Sequence, residues 1–171
     1  MTTITRIKPI DFSDKAAVAR EIENFANTYA YADIEHALEI SPTGIVYKLT
    51  GTKEDVNSEI VGKDALKGSI SIHNHPVPIG ENKNDSFSFK DLRFTSEHMQ
   101  GRQYLVSGER YDAFEFTKYY SKDEIETAWN KAWLEALEIH WENGTKVIFE
   151  HEDILKNLNK FLEGFKFYEN L

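Results

Sequence analysis

The 171-residue chain has no cysteine. Disulfides and thiolate metal sites are therefore excluded, and any metal must be held by His, Asp, Glu or water. A fold that needs no disulfide suits a reducing cytoplasm. Long hydrophobic runs are missing too. Nothing approaches the length of a membrane span, and Met1 to Asp14 lacks the apolar segment of a signal peptide. Positive charge is scarce: 20 Lys plus Arg stand against 29 Asp plus Glu, a net −9. The basic surface of a non-specific nucleic-acid binder is thus absent, and that partner class is disfavoured. Repeats and low-complexity tracts are lacking as well.

What is present supports one well-packed domain. Apolar residues make up 40 % and aromatics 13 % of the chain, enough for a core at this length. Met1 to Phe12 is weakly patterned. Ser13 or Asp14 can cap a helix over 14–31, with Val18, Ile22, Phe25 and Tyr29 along one stripe. A strand follows over Glu35–Ile40, then a turn at Ser41-Pro42-Thr43-Gly44 and a returning strand over Ile45–Leu49. Lys63–Leu66 is one helical turn. Gln103–Val106 and Tyr111–Phe116 form a second hairpin around Ser107-Gly108. Further on, Ser121 and Glu124 have capping-box spacing, ahead of a helical stripe of Ile125, Trp129, Trp133, Leu137 and Trp141 that Asn143-Gly144 ends. A bridge at Val147-Ile148-Phe149 leads to a last helix with Ile154, Leu155, Leu158, Phe161, Leu162 and Phe165 at helical spacing.

The stretch with chemistry in it is Ser71-Ile72-His73-Asn74-His75-Pro76. Gly68 to His73 has the pattern of a strand, so His73 and His75 leave the same face with roots ~7 Å apart. Both imidazoles can then converge on one metal. Pro76 stops the strand, a polar loop runs to Phe87, and Ser88 opens a helix with Asp91 in its first turn. Two histidines and a carboxylate make three ligands, which leaves zinc an open fourth position, as in catalytic sites.

His73-Asn74-His75-Pro76, Ser88-x-x-Asp91 and the upstream Glu35 resemble the JAMM signature of the MPN-domain zinc metallopeptidases. The wording is most similar to the RadC-like and bacterial or phage JAB-type branch, to which Asp91-x-x-x-Thr95 also conforms. The resemblance covers roughly Tyr31 to Thr117. It implies an α/β (α+β) fold with an MPN-like mixed sheet flanked by helices. On this reading 1–118 is the catalytic domain and 119–171 a helical C-terminal extension packed on it. It further implies Zn2+ held by His73, His75 and Asp91, Glu35 as general acid/base, and Ser88 steadying an oxyanion. The reaction would be hydrolysis of an amide bond in a protein or peptide, such as a ubiquitin-like tail, a cell-wall peptide or a phage or toxin-system protein. One departure is the loop between His75 and Ser88, whose twelve residues exceed the family's compact form.

The same residues admit plainer roles. Ser88-x-x-Asp91 has the spacing of a helix capping box, and that role is compatible with the catalytic one. Glu39 shares the face of Glu35 and is the alternative base; Asp85 is the nearest substitute for Asp91 as a ligand. His36, His98, His140 and His151 are surface or helix-face residues on this reading, and the tryptophan stripe is core or a partner interface. The C-terminal helices are the place for substrate choice or self-association. Two rival functions remain: a metal-free MPN-like scaffold, which has no need for all five site residues, and a RadC-like protein acting around DNA, which the acidic charge disfavours.

Overall fold

The computed structural model describes residues 1–77, 85–142 and 151–171, and at 138–142 and 151 the backbone alone. Seven strands form one mixed sheet: β1 (Thr3–Ile7), β2 (His36–Ile40), β3 (Val46–Thr50), β4 (Ile70–Asn74), β5 (Arg102–Ser107), β6 (Arg110–Phe116) and β7 (Phe165–Tyr168). Their spatial order is β1-β3-β2-β4-β5-β6-β7. Five helices accompany them among the described residues: α1 (Lys15–Tyr29), α2 (Lys63–Leu66), α3 (Phe89–Glu97), α4 (Lys122–Glu142) and α5 (His151–Leu158), with a 3-10 turn at Ser58–Val61. The fold is α+β, as the sequence predicts. No helix among the described residues is long and apolar enough to cross a membrane.

All neighbouring strands are antiparallel except β4 and β5, which run parallel. A parallel pair cannot be joined by a tight hairpin and needs a crossover. Here the crossover carries α3, so the start of that helix returns toward the end of β4, where the two histidines are. One face of the sheet is covered by α1, capped by Asp14 through the N–H groups of Ala16 and Ala17. Val18, Ile22 and Phe25 pack there against Leu38, Ile40, Ile72 and Val106. On the opposite face, Leu105 and Phe114 join Phe87, Leu92 and residues of α4 and α5 in a second core.

Three features depart from the sequence reading. Residues 3–7, expected to be weakly patterned, form edge strand β1, held by backbone pairing to β3 while most of its side chains stay exposed. An edge strand with little buried surface has little apolar alternation to show. Phe165, expected to extend the last helix, instead starts β7, so the segment after 119 contributes a strand to the central sheet as well as helices. Gly164 makes that change of course: its N–H donates to the Tyr120 hydroxyl at 2.7 Å and its carbonyl accepts from Thr117 N–H at 2.7 Å. A Cβ there would meet Thr117 Oγ1 at 2.9 Å. The third concerns α4, whose buried face is Ile125, Ala128, Ala132 and Ala136 rather than the tryptophans. Trp133 is 39 % exposed, and Trp129 is half-buried, edge-on to Phe89 at 5.9 Å. Small side chains let a neighbouring helix approach closely, and α4 and α5 pack together over this face. Asn143-Gly144, Val147-Ile148-Phe149 and the side chains of Trp141, His140 and His151 lie outside the described residues.

Candidate metal centre

His73 sits on β4 between Ala37 of β2 and Leu105 of β5. A small neighbour and an aliphatic one leave its imidazole room to project. Behind it, Phe87 packs edge-on at 5.9 Å and is itself locked against Phe114 at 4.6 Å, fixing the ring from the core side. His75 lies just past the strand, held by its N–H bond to Val106 O at 3.1 Å. Between them, Asn74 points to the other face and is fully buried. Its amide donates to Ile34 O at 3.0 Å, and its Oδ1 accepts from His36 N–H at 2.7 Å. These bonds bracket Glu35 and fix the start of β2 beside the histidines.

The third donor comes from α3. Ser88 caps this helix, and both its N–H (2.7 Å) and its hydroxyl (2.8 Å) donate to Asp91 Oδ2. Oδ1 of Asp91 faces His73, while His75 is nearer Oδ2. His73 Nε2 lies 3.3 Å from His75 Nε2 and 3.5 Å from Asp91 Oδ1, and His75 Nε2 lies 3.8 Å from Asp91 Oδ2. The two His–Asp separations are long for hydrogen bonds. Four ligands ~2.05 Å from a tetrahedral zinc stand ~3.3 Å from one another; the two imidazole nitrogens have that spacing, and single donor atoms of the three side chains lie within 4.8 Å of one another. This is the one group of three or more such side chains with that convergence among the described residues.

Protonation suits the same role. Burial pushes the His73 imidazole well below its ordinary value, so its lone pair is available at neutral pH. Burial alone would raise Asp91, but the neighbouring histidines and the two Ser88 donors outweigh it, and the carboxyl ends below its ordinary value. Neutral imidazole and ionised carboxylate are the forms that bind a metal. The residues present fit a zinc ion.

The donors open onto a cleft of about 610 Å³ that Glu35, Glu39, Ser88 and Lys90 also line. Glu35 is half-buried at the head of β2. Its carboxyl is pushed up to about 7, first by burial and then by the charges of Asp91 and Asp55. Glu39, the alternative, is deeper and opposite Ser71 rather than His73. Asp85 lines the cleft, but the carboxylate gathered with the imidazoles is Asp91. His36 stacks on Tyr29 and His98 on Phe94, both away from the donor group. No family model, curated protein or solved structure matches this chain.

Sequence reasoning passed over Asn74, Gln100 and Gln103. Alternation did carry a signal for the first: an asparagine between two outward histidines must point into the opposite, packed face and find partners there.

Proposed function

We propose that the protein is a zinc-dependent metallopeptidase or isopeptidase of the JAMM type, hydrolysing an amide bond. The observation that carries this reading is the convergence of His73, His75 and Asp91, with donor atoms within 4.8 Å of one another, in a cleft shared with the carboxyl of Glu35. When bound, zinc polarises a carbonyl and makes water far more acidic. The chain's own residues do the rest. Glu35, with a pKa near neutrality, takes a proton from water and returns it to the leaving amine, which suits general acid/base work. Ser88 holds Asp91 through its N–H and hydroxyl. To stabilise an oxyanion as well, that hydroxyl turns from Asp91 toward the cleft, since it has one proton to donate. Substrates are proteins or peptides, and a chain that needs no disulfide suits a reducing cytoplasm.

Elemental analysis tests the centre. The purified protein is expected to hold one zinc per chain, and the His73→Ala/His75→Ala double variant none, with hydrolysis in a peptide screen at background. Full zinc occupancy in the double variant would sink the site. A folded wild-type protein with neither zinc nor hydrolysis would return the chain to the scaffold reading.

A further inference from the structure

The direction in which a side chain leaves a strand is set by the two peptide planes that flank its Cα. Around Glu35 these planes carry four polar groups: Ile34 C=O, Glu35 N–H, Glu35 C=O and His36 N–H. Two of them turn to the β3 side. There Glu35 N–H donates to Thr52 O at 2.7 Å, and Glu35 O accepts from Gly51 N–H at 2.8 Å. The other two turn toward β4, whose register with β2 ends at Ala37 and His73. Past that pair the β4 chain serves its other neighbour. His75 N–H bonds to Val106 O of β5, and Pro76 has no N–H to give.

The Asn74 side chain stands in for the strand that is no longer there. Its NH2 donates to Ile34 O at 3.0 Å, and its Oδ1 accepts from His36 N–H at 2.7 Å. A carboxamide has the donor and the acceptor of a peptide group, and these two partners dictate which way round it lies. Asn74 is 0 % exposed, so water does not compete for either bond. All four polar groups around Glu35 are thus tied, two of them by one side chain. Other residue types do not reproduce the bridge. An ionised aspartate has no proton for Ile34 O, and an aliphatic side chain leaves both groups unmet. The same residue separates His73 from His75, so it links the strand of the ligands to the head of β2.

We propose that Asn74 is a positioning residue for Glu35, its carboxamide replacing a strand so that the Glu35 carboxyl is aimed into the cleft beside the imidazoles. Asn74 touches no substrate and acts only through Glu35. A misplacement of about 1 Å at a reacting group can cost on the order of 100-fold in rate, so holding the backbone there matters to turnover as well as to folding. A plug that merely closes the end of a strand would stabilise the fold and do nothing particular for Glu35. The two roles differ in what happens when Glu35 itself has been disabled.

The assignment rests on the reading of Glu35 as the base, and the test separates the two. Backbone hydrogen exchange of the full-length protein is followed by NMR. In the wild type, His36 N–H is expected to exchange as slowly as Leu38 N–H within β2. Exchange at the rate of an open amide overturns the proposal, and this measurement needs no variant to fold. Asn74→Leu keeps the volume without the polar atoms, and Asn74→Ala, which adds no bulk, is read in the same way. Glu35 N–H and His36 N–H should then exchange at least about 10-fold faster, with one zinc per chain retained. Unchanged exchange at Glu35 overturns the proposal, and so does loss of zinc, which would place the action of Asn74 on the ligands. Where a peptide is cleaved, kcat should fall about 10- to 100-fold at nearly constant KM. In a Glu35→Gln background the same substitution should cost no more than about 2-fold, because no base is left to position. An equal loss in both backgrounds makes Asn74 a fold residue only and overturns the proposal while keeping the hydrolase. The expected exchange pattern with no zinc-dependent cleavage by the wild type keeps the hold on Glu35 and removes the hydrolase.

Discussion

Glu35 and Glu39 leave the same face at the two ends of one short strand, and both carboxyls are pushed up to about 7. The causes differ. For Glu35 burial acts first, reinforced by the negative charges of Asp91 and Asp55, and a backbone N–H from Val56 is the one hydrogen bond opposing it. For Glu39 burial acts against four hydrogen bonds, from Ser58, Ser71, Gln100 and Ser69. A raised pKa therefore marks a group that can exchange protons and equally one that is walled in. What separates the two is whether the lone pairs are already committed. Those of Glu39 are, whereas Glu35 keeps room for water and lies at the end of the strand nearer the metal ligands.

The most forceful way to break this contrast is to exchange each carboxyl for its amide. Glu35→Gln should keep zinc and lose on the order of 100-fold or more in turnover, the usual size of a general acid/base contribution. Glu39→Gln should lose only a few-fold, on the order of a loosened hydrogen bond to Gln100. The reverse result would make Glu39 the base and put the wrong end of β2 at the metal.

Ser88 sharpens the contrast from the metal side, because its hydroxyl is committed to Asp91 as Glu39 is to its serines. Ser88→Ala should weaken zinc binding by about 10- to 100-fold through a less firmly oriented Asp91. Loss of the cap costs about 1 kcal/mol of stability. A further loss of turnover, roughly 10²-fold at saturating zinc, measures the oxyanion role. Wild-type turnover at saturating zinc would leave Ser88 as cap and orienter only. Ser88→Asp caps the helix but has no proton to give when ionised, and is expected to be folded and inactive.

The parts of this molecule legible in the sequence are those decided within a few residues. Asp14 at its helix start, the turn at 41–44, the hairpin around Gly108 and Ser88 opening α3 all stand where local signals placed them. So does the geometry of His73 and His75, because strand alternation is a local rule. What stayed hidden depends on partners distant along the chain. β1 is held by β3, 39 to 47 residues on, and α4 shows its buried face through alanines whose value is the close approach of α5. β7 borrows its apolar character from Phe114 and Phe116, so its phenylalanines fit a helical spacing equally well. Gln100 and Gln103 are ordinary residues in sequence, and only the register of β4 with β5 and the course of the chain after α3 bring them to the cleft.

The smallest effect, and the finest probe of the contrast, is the pH dependence of stability at Glu39. Its carboxyl titrates near 7 in the folded protein and near 4.5 when the chain is unfolded. The fold thus prefers the protonated form. This contribution is complete below pH 4.5, declines as pH rises, and is gone once pH has passed the folded value near 7. Glutamine cannot ionise, so Glu39→Gln does not suffer the decline. The stability of the variant minus that of the wild type should therefore climb between pH 4.5 and 8, by up to about 3 kcal/mol. Urea denaturation of both proteins across that range measures it, and every other titrating group, the zinc ligands included, cancels in the difference. A gap that stays flat with pH would mean that Glu39 is ionised in the fold throughout, as a group facing water or a metal would be. Glu39 would then no longer be the walled-in carboxyl against which Glu35 is the working one.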